Sequence, residues 1–161
     1  ARANVRGGVM AHSYNSLGVQ KMVMNGKPVG EIETRTALAG WYGVPVVMLS
    51  GDRAAAEDLK AIVPAAEMAV VKEGIGYYAC LSMSAVEARE TIRKAAQKGL
   101  QRLAEIPAYK LAGPVVFEVE YTTRSGLGID AGLSPGAEII DARTMRYRGK
   151  DFLEAWQRFR K

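Results

Sequence analysis

The sequence predicts an α/β fold, with a mixed sheet, flanking helices and a β-hairpin near the N-terminus. Three observations favour it. The turn dipeptide Asn25-Gly26 separates two strand-like runs. The nearly continuous apolar segment Val44–Ser50 is typical of a strand covered on both faces. Helix-capping patterns begin at Ser84 and Asp151, so strand and helix signals alternate along the chain.

The first elements are a hairpin, a short helix and a buried strand, predicted at Val19–Met24, Lys27–Ile32, Glu33–Trp41 and Val44–Ser50. Asn25-Gly26 readily takes the positive φ angles of a type I′ turn and therefore joins the two hairpin strands. This arrangement places Glu31 near the far end of the hairpin. Gly43 and Pro45 end the helix that comes next.

The middle of the chain predicts a helix from Asp52 to about Ile62, a strand at Met68–Lys72 and a long helix from Ser84 to about Ile106. Asp52 caps the first helix and Pro64 ends it. Ser84 and Glu87 form an S-x-x-E capping box. The inner side of the long helix carries apolar residues spaced by three and four: Ile92, Ala96, Leu100 and Leu103.

The last part of the chain predicts a half-buried strand at Val115–Thr122, one or two strands within Ala137–Arg148 and a helix that opens at Asp151 with Glu154. Its aromatic face, Phe152, Trp156 and Phe159, is typical of a core or an interface. The Gly-rich loop Ser125–Gly136 matches no phosphate-binding motif, so we expect it to border an active site or a subunit contact.

Length and composition indicate one ordinary domain. The 161 residues are 48% hydrophobic and 24% charged, which is enough to bury a core. The longest apolar stretches are too short to cross a bilayer, and the first residues lack the pattern of a secretory signal. Since the single Cys80 can form no internal disulfide, we expect a reducing, cytoplasmic setting and no membrane partner.

A net charge of +5 permits an anionic partner, but the basic residues are spread along the chain. The modest clusters are RYRGK at 146–150 and RFRK at 158–161. Arg158, Arg160 and Lys161 lie where cations offset the negative end of a helix dipole. A solvated helix end is therefore favoured over a nucleic-acid patch.

The only histidine, His12, is the strongest candidate for chemistry, and Glu31 lies nineteen positions after it. One imidazole and one carboxylate do not complete a catalytic zinc centre, which needs three protein ligands and an open position. Taken alone, His12 is also consistent with a surface or hydrogen-bonded residue. Ser13 is too close in sequence to act as its nucleophile, and no G-x-S-x-G motif occurs. A dyad with Cys80 stays open, although its apolar setting, YYACLSM, favours packing as a small hydrophobe.

Asp52 and Lys72 are candidate substrate-binding residues. Each comes directly after a predicted buried strand, and ligands of open α/β sheets gather beyond the carboxyl ends of the strands. The N-cap role of Asp52 is a sufficient structural alternative.

Four stretches resemble the DppA-like D-aminopeptidases of peptidase family M55, which are dinuclear zinc enzymes: GVMAHS at 8–13, NGKPVGE at 25–31, AGWYGVPVVMLSGD at 39–52 and KDFLEAWQ at 150–157. The resemblance implies that His12 is the catalytic residue and that Glu31 is a zinc ligand. It also implies two zinc ions per complete site, a homo-oligomer, and hydrolysis of N-terminal D-amino acids from short peptides or amino-acid amides.

The family pattern also includes metal ligands that this sequence lacks. Family members begin with an Asp-x-Glu pair of zinc ligands and then have two histidine ligands, the second just ahead of the G-V-M-x-H-S segment. Ala1-Arg2-Ala3 resembles the residues that family members have directly after that second histidine. We therefore expect residues 1–161 to be the C-terminal portion of a family member and an incomplete α/β domain. Residues 8–33 form its hairpin and catalytic segment, and residues 34–161 form the α/β remainder.

Three functional hypotheses are consistent with these observations. The first is a zinc aminopeptidase whose remaining ligands lie elsewhere, so that the 161-residue chain alone is inactive. The second is a catalytically silent oligomerisation or interaction module of the same fold. The third, which the basic balance favours least, is an anion- or nucleic-acid-binding domain.

Overall fold

The computed structural model describes residues 1–124 and 136–160. Within these residues, eight strands form two sheets, and four α-helices pack against them. The strands are β1 (Val19–Met24), β2 (Lys27–Pro28), β3 (Met48–Asp52), β4 (Glu67–Gly76), β5 (Ala79–Ser82), β6 (Val115–Tyr121), β7 (Ala137–Ile139) and β8 (Thr144–Gly149). The helices are α1 (Glu31–Trp41), α2 (Arg53–Lys60), α3 (Ala85–Gln101) and α4 (Phe152–Arg160). The α/β class predicted from the sequence is confirmed.

The larger sheet is antiparallel, with the strand order β2-β1-β6-β8-β7. Its register places Met22 opposite Val119 and Phe117 opposite Tyr147. The alternating residues of β1, β6 and β8 turn one apolar face toward α4 and α1. This face forms the main core, whose fully buried side chains include Phe117, Phe152, Met22 and Met145. Of the predicted C-terminal strands, both β7 and β8 are present.

The smaller sheet has the order β3-β4-β5, with β3 parallel to β4 and β5 antiparallel to β4. Asp52 caps α2 as predicted, since its side chain accepts a hydrogen bond from the Ala55 amide. A second, smaller core lies under α2 and centres on Leu59, Val63 and Ile106. The sequence did not predict β5.

The hairpin prediction is right at its turn and wrong at its end. Asn25 and Gly26 both have positive φ, 48° and 79°, as a type I′ turn requires. The second strand, however, stops at Pro28: the Val29 amide still donates to the Met22 carbonyl, but the Gly30 amide donates to Glu33 at the start of α1. Glu31 therefore lies in the first turn of α1, where an acidic side chain matches the positive end of the helix dipole.

The start of β3 also differs from the sequence prediction. The strand predicted at Val44–Ser50 begins only at Met48, and Val44 is exposed. Met48 and Leu49 are only partly buried, whereas the apolar composition of the segment predicted cover on both faces. Pro45, which has no amide hydrogen, precedes the strand.

The long helix α3 ends at Gln101, and a short 3₁₀ turn comes next at Leu103–Glu105. Its capping box at Ser84 and Glu87 is confirmed, but its predicted inner side is wrong for Leu100 and Leu103, both of which are exposed. The helix instead presents Gly99 to the β3 segment. A Cβ at Gly99 would lie 2.8 Å from the Val47 carbonyl oxygen, so a small residue sets this contact.

The C-terminal helix α4 agrees with the prediction, with one change at its start. Asp151 accepts a hydrogen bond from the Glu154 amide, as a cap should, but the Glu154 carboxylate accepts from the Lys150 amide instead of returning to Asp151. The aromatic face of α4 packs into the main core. The predicted loop at 125–136 lies outside the described residues except for Gly136, as does Lys161.

No helix of the described residues is long and apolar enough to span a membrane.

We expect Phe117→Ala to lower the free energy of unfolding by about 3–5 kcal/mol, because it opens a cavity in the main core. Leu100→Ala should change it by no more than about 0.5 kcal/mol, because Leu100 is 64% exposed. Urea denaturation of both variants measures this difference. A loss of several kcal/mol in the Leu100 variant would show that the inner side predicted from the sequence is the correct one.

Candidate functional site

His12 and Glu31 share one site on the surface of the protein. The segment before β1 carries His12, and the first turn of α1 carries Glu31. The His12 Nε2 atom lies 4.0 Å from the Glu31 Oε1 atom, with the imidazole half exposed and the carboxylate about one third exposed. This separation is longer than a direct hydrogen bond. The structure thus brings together the two residues that the sequence singled out.

A backbone carbonyl fixes the orientation of the imidazole. The Nδ1 atom of His12 lies 2.7 Å from the Met10 carbonyl oxygen. Because a carbonyl oxygen can only accept, Nδ1 must carry the hydrogen of this bond. In the neutral imidazole, Nε2 then keeps a free lone pair, and this nitrogen faces Glu31. Such a nitrogen can accept a proton or attack an electrophile.

A backbone amide also holds the carboxylate of Glu31. The Tyr14 N–H donates to Glu31 Oε1 over 2.6 Å. The hydroxyl of the same tyrosine lies 2.5 Å from Thr34 Oγ1, one turn further along α1. Tyr14 therefore contacts α1 at Glu31 and again at Thr34. Neither Met10 nor Tyr14 was predicted from the sequence, because the groups that act are backbone groups, which every non-proline residue has.

Gly30, at the N-terminus of α1, allows this close approach. A Cβ at Gly30 would lie 2.7 Å from the Arg2 Cβ and 3.2 Å from the Ser13 Oγ. The Gly30 amide donates to Glu33, which closes the first turn of the helix. Any larger residue would push the N-terminal segment away from α1 and separate His12 from Glu31.

Two small cavities flank His12. One, of about 260 Å³, is lined by Ala1, Arg2, His12, Glu31 and Ile32. The other, of about 240 Å³, is also lined by His12, and its lining includes Ala11, Val19 and Tyr77. Both volumes fall below the usual range for drug-sized ligands, about 300–1,000 Å³. The site is therefore suited to a small molecule.

Asp52 and Lys72, the two candidates for substrate binding, line neither of these cavities. Asp52 is buried, and its two oxygens accept hydrogen bonds from the Ala55 and Val9 amides. It therefore caps α2 and fixes the segment that leads to His12. Lys72 is exposed on β4, directly opposite Asp52 in the register. Their roles in substrate binding remain predictions.

The alternative partners of His12 are placed differently. Ser13 is fully buried, and its Oγ accepts a hydrogen bond from the Ala3 amide. This hydroxyl holds the N-terminal segment and faces no open space. Cys80 is half buried on β5, opposite Gly74. It lines neither cavity beside His12.

The described residues do not fit a complete metal centre. Within 1–124 and 136–160, no group of three or more His, Cys, Asp or Glu side chains is placed to hold a metal ion. A catalytic zinc ion takes three protein ligands. Glu31 can supply one carboxylate, and His12 is the nearest further donor that the site shows.

Comparisons with known proteins agree on one family. The Peptidase M55 family model, described as D-aminopeptidase, matches residues 1–161. The D-aminopeptidase of Bacillus subtilis (strain 168) is 33% identical over 158 residues, which cover 98% of this chain and 57% of that protein. The structure of the Zn-dependent D-aminopeptidase DppA from Bacillus subtilis, described as a self-compartmentalizing protease, matches with a TM-score of 0.88 and 31% identity. The match covers 99% of this chain and 57% of that one, so the chain spans somewhat over half of each relative.

We expect Asp52→Ala to lower the free energy of unfolding by roughly 2 kcal/mol, the upper part of the range for lost N-caps. The reason is that it leaves the Ala55 and Val9 amides without their acceptor. Ser84→Ala, at the exposed cap of α3, is the matched control and should cost about 1 kcal/mol or less. Equal losses in urea denaturation would contradict the double role of Asp52.

The neutral imidazole of His12 should carry its proton on Nδ1, because the Met10 carbonyl accepts from that atom. Long-range ¹H–¹⁵N correlation spectra distinguish the two tautomers, and the single histidine of the sequence makes the assignment unambiguous. A spectrum of the Nε2–H tautomer would show that the Met10 carbonyl does not orient the ring.

Proposed function

The chain belongs to the M55 family of D-aminopeptidases, and from this premise we propose that it functions in a zinc-dependent aminopeptidase. The substrates are short peptides or amino-acid amides with an N-terminal D-residue. In this proposal His12 is the catalytic residue and Glu31 is a zinc ligand. The observation that carries it is the 4.0 Å approach of His12 Nε2 to Glu31 Oε1 beside a small cavity. Family membership supports peptidase chemistry, and the zinc dependence of the Bacillus subtilis structure supports the metal.

The roles assigned to this chain are those its own residues can fill. His12 faces the cavity with a nitrogen free to accept a proton, and this nitrogen can return the proton to the leaving amine or attack the carbonyl. Glu31 adds negative charge beside the same cavity, where it can also pair with a substrate amine. Since the described residues do not complete a zinc site, the further ligands have to come from outside this set.

The size of the site supports a small substrate. The two cavities beside His12 measure about 260 and 240 Å³. An amino-acid amide or a dipeptide suits such volumes better than a long chain does. The preference for D-residues rests on the family description alone.

We further propose that the protein acts as a homo-oligomer. The Bacillus subtilis relative is described as self-compartmentalizing. In this chain, large apolar side chains are exposed on α1, on α3 and on the segments directly after them: Trp41, Tyr42, Val44, Leu100 and Leu103. Exposed apolar side chains in such numbers favour an interaction surface.

The same exposed residues favour the second candidate, a catalytically silent interaction module. The ion pairs on the larger sheet argue against the third candidate, a nucleic-acid-binding domain. Arg146 and Arg148, which belong to the basic cluster at 146–150, pair with Glu118 and Glu138. Arg158 pairs with Glu154 within α4.

In the zinc-loaded native protein, we expect His12→Ala to lower kcat for a D-alanyl amide by roughly a hundredfold or more while zinc content is retained, in line with the worth of a general acid–base group. Glu31→Ala should instead lower the zinc content, because it removes a ligand. Turnover of the D-amide and metal analysis of the same samples measure both effects.

Glu73→Gln is a suitable control, because Glu73 is an exposed carboxylate that pairs with Arg53 and lines neither cavity beside His12. It should change neither turnover nor zinc content. Near-normal turnover in the His12 variant would rule out its assigned role. A wild-type protein that binds zinc but does not hydrolyse the amide would favour the interaction module.

A further inference from the structure

The backbone on both sides of His12 adopts a conformation that side chains disfavour. Met10 has φ +49° and Tyr14 has φ +57°, in the left-handed region where residues other than glycine are uncommon. Both lie two positions from His12, and each directs a backbone group at the site. The Met10 carbonyl accepts from the imidazole, and the Tyr14 amide donates to Glu31. A left-handed conformation at a residue other than glycine persists only where surrounding contacts hold it.

The hydroxyl of Tyr14 provides one of these contacts. It lies 2.5 Å from Thr34 Oγ1, and Thr34 Oγ1 lies 2.7 Å from the Gly30 carbonyl oxygen. Since a threonine hydroxyl has one hydrogen and gives it to the carbonyl, Tyr14 is the donor to Thr34. The bonds link Tyr14 to the turn of α1 that carries Glu31.

The ring of Tyr14 is held by α4. Its centroid lies 5.8 Å from that of Trp156 and 5.5 Å from that of Phe159, the latter in an edge-to-face arrangement. The guanidinium groups of Arg35 and Arg160 lie 5.8 and 5.9 Å from the same centroid. The side chain is thus fixed between α1 and α4, and the backbone cannot relax from its left-handed conformation without breaking these contacts.

We infer that Tyr14 is a positioning residue: its anchored side chain holds the left-handed backbone whose amide binds Glu31 and keeps that carboxylate beside His12. The inference rests on the proposed function only in taking His12 and Glu31 as the working pair. It assigns Tyr14 no contact with substrate. Thr34 acts through Tyr14, and the aromatic face of α4 supports both.

Hydrogen exchange of the residue-14 amide tests this inference without any assay of activity, because that amide donates to Glu31. Thr34→Val keeps the shape of the side chain and removes the hydroxyl, whereas Thr34→Ser keeps the hydroxyl and removes a methyl group. We expect Thr34→Val to lower the protection of amide 14 about tenfold and Thr34→Ser to leave it near the wild-type value. The Ala55 amide, which Asp52 binds in α2, serves as the internal reference.

A packing role for Thr34 predicts the reverse order, because Thr34 is fully buried and serine leaves a void there. The inference is overturned if Thr34→Ser lowers the protection of amide 14 more than Thr34→Val does. It is also overturned if the two variants give the same protection of amide 14 relative to that of the Ala55 amide. Tyr14→Phe keeps the ring, removes the donor and should repeat the valine result, which covers the case in which Thr34→Val does not fold. Tyr121→Phe, which removes another half-buried hydroxyl, should leave amide 14 unchanged.

Kinetics of the zinc-loaded protein provide a second readout. Thr34→Val should lower kcat about tenfold with KM nearly unchanged, and Thr34→Ser should restore it, because a misplaced carboxylate impairs the reacting groups more than substrate binding. A wild-type protein without D-amide turnover would contradict the proposed function, while the exchange experiment would still decide the role of Tyr14.

Discussion

The arrangement of the site depends on one close approach, that of the N-terminal segment to the first turn of α1 at Gly30. A Cβ at this position would meet the Arg2 Cβ at 2.7 Å and the Ser13 Oγ at 3.2 Å. Only glycine lets the two segments come this near while leaving the amide of residue 30 free to close the helix through Glu33. The approach in turn places the Tyr14 amide within 2.6 Å of Glu31 and His12 on the same cavity. An imidazole from the segment before β1 and a carboxylate from the first turn of α1 thus come to lie side by side.

Buried charge keeps the N-terminal segment in this position. The Arg2 guanidinium forms an ion pair with Asp58 of α2, and the Arg2 amide donates to the same carboxylate over 3.1 Å. Arg2 also lies 3.9 Å from the Glu33 carboxylate, and since Asp58 and Glu33 are both buried, removing Arg2 would leave two carboxylates without this counter-ion. The exposed His12–Glu31 pair differs in kind, because its separation exceeds a hydrogen bond and water reaches both groups. The buried pairs hold the scaffold, and the exposed pair is left available for chemistry.

The sequence predicted the features that local chemistry determines. Asn25-Gly26, the caps at Asp52 and Ser84 and the aromatic face of α4 are confirmed, because each depends on residues a few positions apart. It was wrong where packing between distant segments decides. Leu100 and Leu103 are exposed since α3 meets its neighbours through Gly99, and apolar spacing alone could not show which side would face the core. The sequence singled out both His12 and Glu31, but it placed Glu31 in a hairpin strand, whereas Glu31 belongs to the first turn of a helix.

The groups that orient the site escaped prediction for a more general reason. A backbone carbonyl holds His12 and a backbone amide holds Glu31, and both belong to residues in the left-handed region. The identities of Met10 and Tyr14 give no sign of this conformation, which contacts far along the chain must sustain. At Tyr14 those contacts are visible, because α4, at the far end of the chain, packs Trp156 and Phe159 against the ring. The C-terminal helix thereby takes part in fixing a carboxylate of α1 through the ring of Tyr14. A substitution in its aromatic face that leaves the fold intact can therefore still disturb the site.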